Sequence, residues 1–107
     1  MMYFRRLYWV VEKRNGKGAS EVFGVYTSIP DLTDKGLPAF RQRYPEEGLR
    51  LSLIKLDSQD KPLGCWSSPE YPGLDEDLVP YIKTGEFTAE ECRTLIDLLR
   101  NKYASLA

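Results

Sequence analysis

The chain has 107 residues, is 42% hydrophobic and 29% charged, carries a net charge of −1 and contains no histidine. This is the composition of one globular domain that can bury a sizeable core, not of a disordered chain, and it excludes a global basic field that recruits nucleic acid or anionic lipid. The absence of histidine excludes Ser-His-Asp and Cys-His catalysis within one chain and removes the commonest metal ligand.

Cys65 and Cys92 are too few for a disulfide framework, and both read as buried free thiols in a reducing compartment, which points to the cytoplasm. Arg5-Arg6 before Leu7 to Val11 superficially suggests a signal peptide, but Glu12-Lys13-Arg14 ends the apolar run. No stretch approaches the length of a membrane span. Residues 1–62 carry a net +3 and residues 63–107 a net −4, which reads as surface scatter or as head-to-tail complementarity with a partner.

In chain order, about Tyr3 to Lys13 reads as a strand whose middle, Leu7-Tyr8-Trp9-Val10-Val11, is apolar on both faces. Arg14-Asn15-Gly16-Lys17-Gly18 is turn chemistry, and Ser20 to Thr27 is a second strand, giving a hairpin. Ser28 is placed to cap a helix, with Pro30 in its first turn. Gly36 and Pro38 predict that this helix is short, or broken and resumed around Pro38 to Arg43. Leu49 to Leu56 alternates as a third strand, and Leu63 to Ser67 follows as a fourth. Leu74 to Ile82 predicts a short helix disturbed at Pro80. Thr88 and Glu91 form a capping box, Phe87 and Cys92 a hydrophobic staple, and Cys92, Leu95, Ile96, Leu99 and Tyr103 one apolar stripe. The expected fold is α+β: a four-stranded antiparallel sheet with helices on one face.

Phe23-Gly24-Val25-Tyr26-Thr27-Ser28 is echoed forty positions later by Leu63-Gly64-Cys65-Trp66-Ser67-Ser68. Each copy reads apolar, Gly, small apolar, aromatic, hydroxyl, Ser. The echo predicts duplicated strand-strand-helix units, at approximately 3–43 and 47–83, followed by a C-terminal helix at 88–105.

Chemistry is sparse. There is no phosphate-loop motif, and Asp75-Glu76-Asp77 would splay around a helix rather than converge on a cation. No metal or cofactor is implied. If Phe23, Val25, Leu63 and Cys65 face the helices, then Tyr26 and Trp66 lie on the open face, joined by Tyr8 or Trp9. The glycine two residues before each aromatic would leave a place for a partner's ring. These four aromatics are therefore the candidate interface of a homodimer or other protein complex. The competing expectation is single-stranded or hybrid nucleic acid on the open face, with Arg5, Arg6, Arg41, Arg43 and Arg50 nearby. An enzyme is the third class, and needs an active site shared between subunits or a carboxylate mechanism.

Gly24-Val25-Tyr26-Thr27-Ser28 resembles the Gly-aromatic-hydroxyl strand end of the small RNA–DNA hybrid-binding module attached to some ribonucleases H. The resemblance covers five residues. The tryptophan and basic residues expected just afterwards are missing, so no residue is carried over from it.

Overall fold

A computed structural model describes residues 7–15, 20–56, 62–68 and 71–103. The strands are β1 (Leu7–Arg14), β2 (Ser20–Tyr26), β3 (Leu49–Lys55) and β4 (Gly64–Ser67). They form one antiparallel sheet in the order β2-β1-β3-β4. The helices are α1 (Ile29–Asp31), α2 (Leu37–Arg43), α3 (Leu74–Lys83) and α4 (Ala89–Leu98), and they cover one face of the sheet. Tyr3 to Arg6, positions 16–18 of the predicted turn, and residues 104–105 of the predicted last helix lie outside the described residues.

Two central strands, β1 and β3, supply the floor of the core. Trp9 pairs with Leu53, Val11 with Leu51 and Lys13 with Leu49. Strand side chains alternate between faces, so these positions share a side. Trp9, Val11, Leu49, Leu51 and Leu53 are all fully buried. Leu32, Leu37, Phe40, Leu74, Leu78, Leu95 and Leu99 descend on them from the helices with no exposure.

The expected break near Gly36 does not occur. Residues 29–43 wind continuously because Leu32–Gly36 adopts a π-helical turn between α1 and α2. Gly36 is helical, with φ −66°, rather than a stop. A Cβ there would stand 2.6 Å from Cε2 and Cζ of Tyr26, so the glycine is needed to let that ring approach the helix. The wider turn also makes room for Pro38, which would otherwise crowd the carbonyl four residues back. Ser28 caps the start, its Oγ accepting from Asp31 N at 3.2 Å. Pro80 sits inside α3 without ending it.

The last helix forms as its sequence signals require. Thr88 Oγ1 accepts from Glu91 N and Glu91 Oε1 accepts from Thr88 N, both at 3.0 Å. Cys92, Leu95, Leu99 and Tyr103 are buried, and the helix closes in a second π turn, Leu99–Tyr103.

The echoed segments are the two edge strands. Trp9 pairs with Tyr26 and Val11 with Gly24, while Leu51 pairs with Trp66 and Leu53 with Gly64. Beyond the strands the halves differ: Ser28 caps α1 directly, whereas α3 starts after Gly73 in the left-handed region.

Candidate functional site

The face assignment expected for the aromatics is inverted. Tyr26 and Trp66 share one side of the sheet, but it is the helix side. Phe23 does face the helices as expected, edge-on to Phe40 at 5.5 Å and near Tyr44 at 5.9 Å. A β-bulge explains this: Val11 pairs with Gly24 and Glu12 with Val22, leaving Phe23 unpaired and turned inward. One inserted residue reverses the parity of everything after it.

Each aromatic folds over its own glycine. A Cβ at Gly64 would lie 2.2 Å from Trp66 Cη2, and one at Gly24 would lie 2.6 Å from the Tyr26 hydroxyl oxygen. The space read as a seat for a partner's ring is filled from within the strand. Trp66 is 2% exposed, packs on Trp9 with centroids 6.0 Å apart, and donates from Nε1 to Asp77 Oδ2 at 3.0 Å. Trp9 also meets Phe87 at 5.4 Å and is fully buried. Burial raises the Tyr26 phenol pKa.

The open face has other occupants. Tyr8 stands opposite Ile54; Val10 lies between Val25 and Ser52; Ser52 is opposite Cys65; Glu12 lies between Val22 and Arg50. Val22 is 62% and Val25 53% exposed, whereas Val10 is 8%. Cys65, expected to be buried, is exposed, because it alternates with the inward Trp66. Leu63, also expected inside, is 43% exposed.

A polar cluster crosses this face. Arg50 Nε donates to Cys65 Sγ at 2.9 Å and lies 3.4 Å from Glu12 Oε2; Ser52 Oγ is 3.5 Å from the same sulfur. The bond to Cys65, then the charges of Cys65 and Glu12, raise the Arg50 pKa above its ordinary value. This guanidinium therefore stays cationic in water at any ordinary pH. The cluster has no imidazole for proton transfer.

Of the candidate nucleic-acid residues, Arg50 is on the open face. Arg5 and Arg6 lie outside the described residues. Arg41 is turned inward to the backbone of the following loop, where its Nη1 donates to the carbonyls of Tyr44 and Pro45 at 3.1 Å and of Glu47 at 3.2 Å. Arg43 lies over the Tyr44 ring at 5.7 Å. The acidic run is dispersed, with Asp75 paired to Arg100 at 2.8 Å and Asp77 committed to Trp66. Among the described residues no cluster of three potential ligands could hold a metal ion. A shallow groove of about 410 Å³ between the π turns is lined by Thr33, Asp34, Thr94, Asp97, Asn101 and Lys102.

The residues missed by sequence reasoning are Val22, Val25, Ile54 and Cys65. A signal for them was present: a glycine at i−2 on the same strand face gives an aromatic room to lie flat, which favours a packed face over an exposed one. Comparison of the chain with family models, curated proteins and solved structures finds no match. Among the described residues no helix is long and apolar enough to cross a membrane.

Proposed function

We propose that this chain is a small non-catalytic interaction domain that self-associates through the open face of its sheet. The observation that carries the reading is the exposure of Val22 and Val25, side by side with Tyr8, Val10 and Ile54, on a face that no described helix covers. Exposed apolar surface of this kind is stabilised by removal from water, and a second copy offers a surface of matching character. The interface candidates are thereby moved from Tyr26, Trp66 and Trp9 to Val22, Val25 and Ile54, with Tyr8 kept. Sedimentation across a concentration series tests the proposal. The wild type should form dimers at high micromolar concentration, and V22K/V25K should remain a folded monomer. A wild-type monomer at that concentration ends this reading.

Single-stranded or hybrid nucleic acid on the same face is the alternative, supported by the position of Arg50. It predicts oligonucleotide binding that weakens steeply with salt, whereas apolar self-association should not weaken. The same reading takes the two hairpins as copies of one unit, supported by the matched pairings of Gly24 and Gly64 and of Tyr26 and Trp66. Superposition of the β1–β2 hairpin on the β3–β4 hairpin tests the repeat: coincident backbone paths through both strands favour duplication, and divergent paths count against it.

A further inference from the structure

At the corner where β1 ends and β3 begins, three buried donors have no acceptor among the described residues. They are Nε and Nη2 of Arg41 and the hydroxyl of Tyr71. Buried polar groups are almost always satisfied, by protein, water or a ligand. Tyr71 is 4% exposed. The corner is tied together by a chain of short contacts. Arg41 Nη1 holds Glu47 O, the next residue's carbonyl accepts from Arg14 N at 2.9 Å, and Arg14 Nη1 donates to Ser68 O. Ser68, three residues before Tyr71, accepts at its Oγ from Leu49 N at 2.9 Å. Gly48 keeps this packing close: a Cβ there would stand 3.3 Å from Ser68 Oγ and 3.4 Å from Arg14 Cβ.

Charge points the same way as the orphan donors. Among the described residues neither Arg14 nor Arg41 has a carboxylate partner. Two guanidinium groups thus meet at one corner without a counter-charge among the described residues, and an unpaired, partly desolvated charge is costly. Burial raises the Tyr71 phenol pKa well above its usual range, with the Arg41 charge, a hydrogen bond from the Ser68 side chain and the Arg14 charge pulling the other way and Tyr103 adding to the rise. The Ser68 contact gives the phenol oxygen a donor and leaves the phenol's own O–H without an acceptor. The phenol therefore stays protonated and can donate.

We propose that the Arg14–Arg41–Tyr71 corner binds a phosphate-type oxyanion. A guanidinium presents its free Nε and Nη2 donors as a fork that matches two oxygens of one phosphate, a hydroxyl donor can take a third, and two positive charges match a dianion. Arg14 is exposed and stands at the rim, where it can meet the anion first. The three orphan donors are closed to solvent in this conformation, so the anion reaches them as the corner opens. A purely internal role is the competing account, in which the Arg41 guanidinium simply stacks 4.8 Å over the Tyr103 ring.

Thermal melting at fixed pH and ionic strength separates the two, with chloride exchanged for inorganic phosphate or for acetate. The wild type should melt roughly 5–10 °C higher when phosphate stands about tenfold above its dissociation constant. Tyr71→Phe, which keeps the ring, should melt in chloride at least as high as the wild type, and it and Arg14→Gln should lose most of the phosphate-dependent rise. Phosphorus NMR line broadening that is present with the wild type and lost with Tyr71→Phe would support the same site. Equal melting of the wild type in phosphate and chloride overturns the proposal. A rise that persists in both variants, or one that acetate matches, assigns the effect to surface ions and overturns it as well. None of these readouts depends on self-association through the open face.

Discussion

The two faces of one sheet use the same strands to opposite ends. On the helix side, Trp9, Trp66 and Phe87 interlock, and each edge-strand aromatic presses on a glycine so closely that a methyl group would not fit. On the open side, β-branched residues alternate with a Glu12–Arg50–Cys65 polar cluster and leave valines in water. The first face is over-determined by packing. The second is held mainly by its strand backbone. The lesson is that an aromatic in a strand does not mark a binding face; what lies at i−2 on the same face says whether the ring is folded down or offered out.

The contrast is broken most severely by truncating the covered face. Trp66→Ala should cost about 3–5 kcal/mol, because it empties a core position and leaves Asp77 without the indole donor. Urea denaturation measures this, and a loss below about 1 kcal/mol would mean that Trp66 is not a core anchor. Gly64→Ala is a subtler attack on the same contact. Its Cβ would fall 2.2 Å from Trp66 Cη2, so the ring must shift, at a cost of about 1–3 kcal/mol. If Gly64→Ala is neutral, the ring has another place to go and the close approach is not a requirement.

The two thiols sharpen the comparison. Burial, with a smaller contribution from the Glu91 charge, pushes the Cys92 thiol up to about 11, against an ordinary value of 9.0. The folded chain therefore holds that proton more tightly than the unfolded chain does. The corresponding stability is fully present below the unfolded value and is lost as the pH climbs through about 11. Urea midpoints should fall between about pH 8 and 10.5, and Cys92→Ala should flatten that part of the slope. Under native conditions a thiol reagent should titrate Cys65 promptly and Cys92 only on unfolding, since Cys65 is exposed and Cys92 is 2% exposed. Equal rates would remove the distinction between the faces.

The smallest effect belongs to the open face. Val25→Lys should change the stability of the monomer by less than about 0.5 kcal/mol, because half of the side chain is already in water. Its effect should instead appear as weakened self-association in the sedimentation series. A large loss of stability in dilute solution would show that the valine is covered within the single chain.

The sequence by itself determined the elements whose signals are local. The alternation in Leu49 to Leu53 specified β3, the Thr88–Glu91 box and the stripe from Cys92 to Tyr103 specified the last helix, and Ser28 specified the start of α1. The antiparallel sheet under a helical layer followed from their order. Tertiary structure decided the pairing register that fixes which way an edge strand faces. The bulge at Phe23 is a pairing event between β1 and β2; Gly24 is its local hint, but only the pairing sets the side on which Val25 and Tyr26 emerge. Likewise Gly36 is a helix breaker by local propensity, and only the arrival of the Tyr26 ring explains why a glycine stands inside a helix. Local propensities are sums over neighbours along the chain, whereas face and register depend on contacts with residues far away in sequence, which override them.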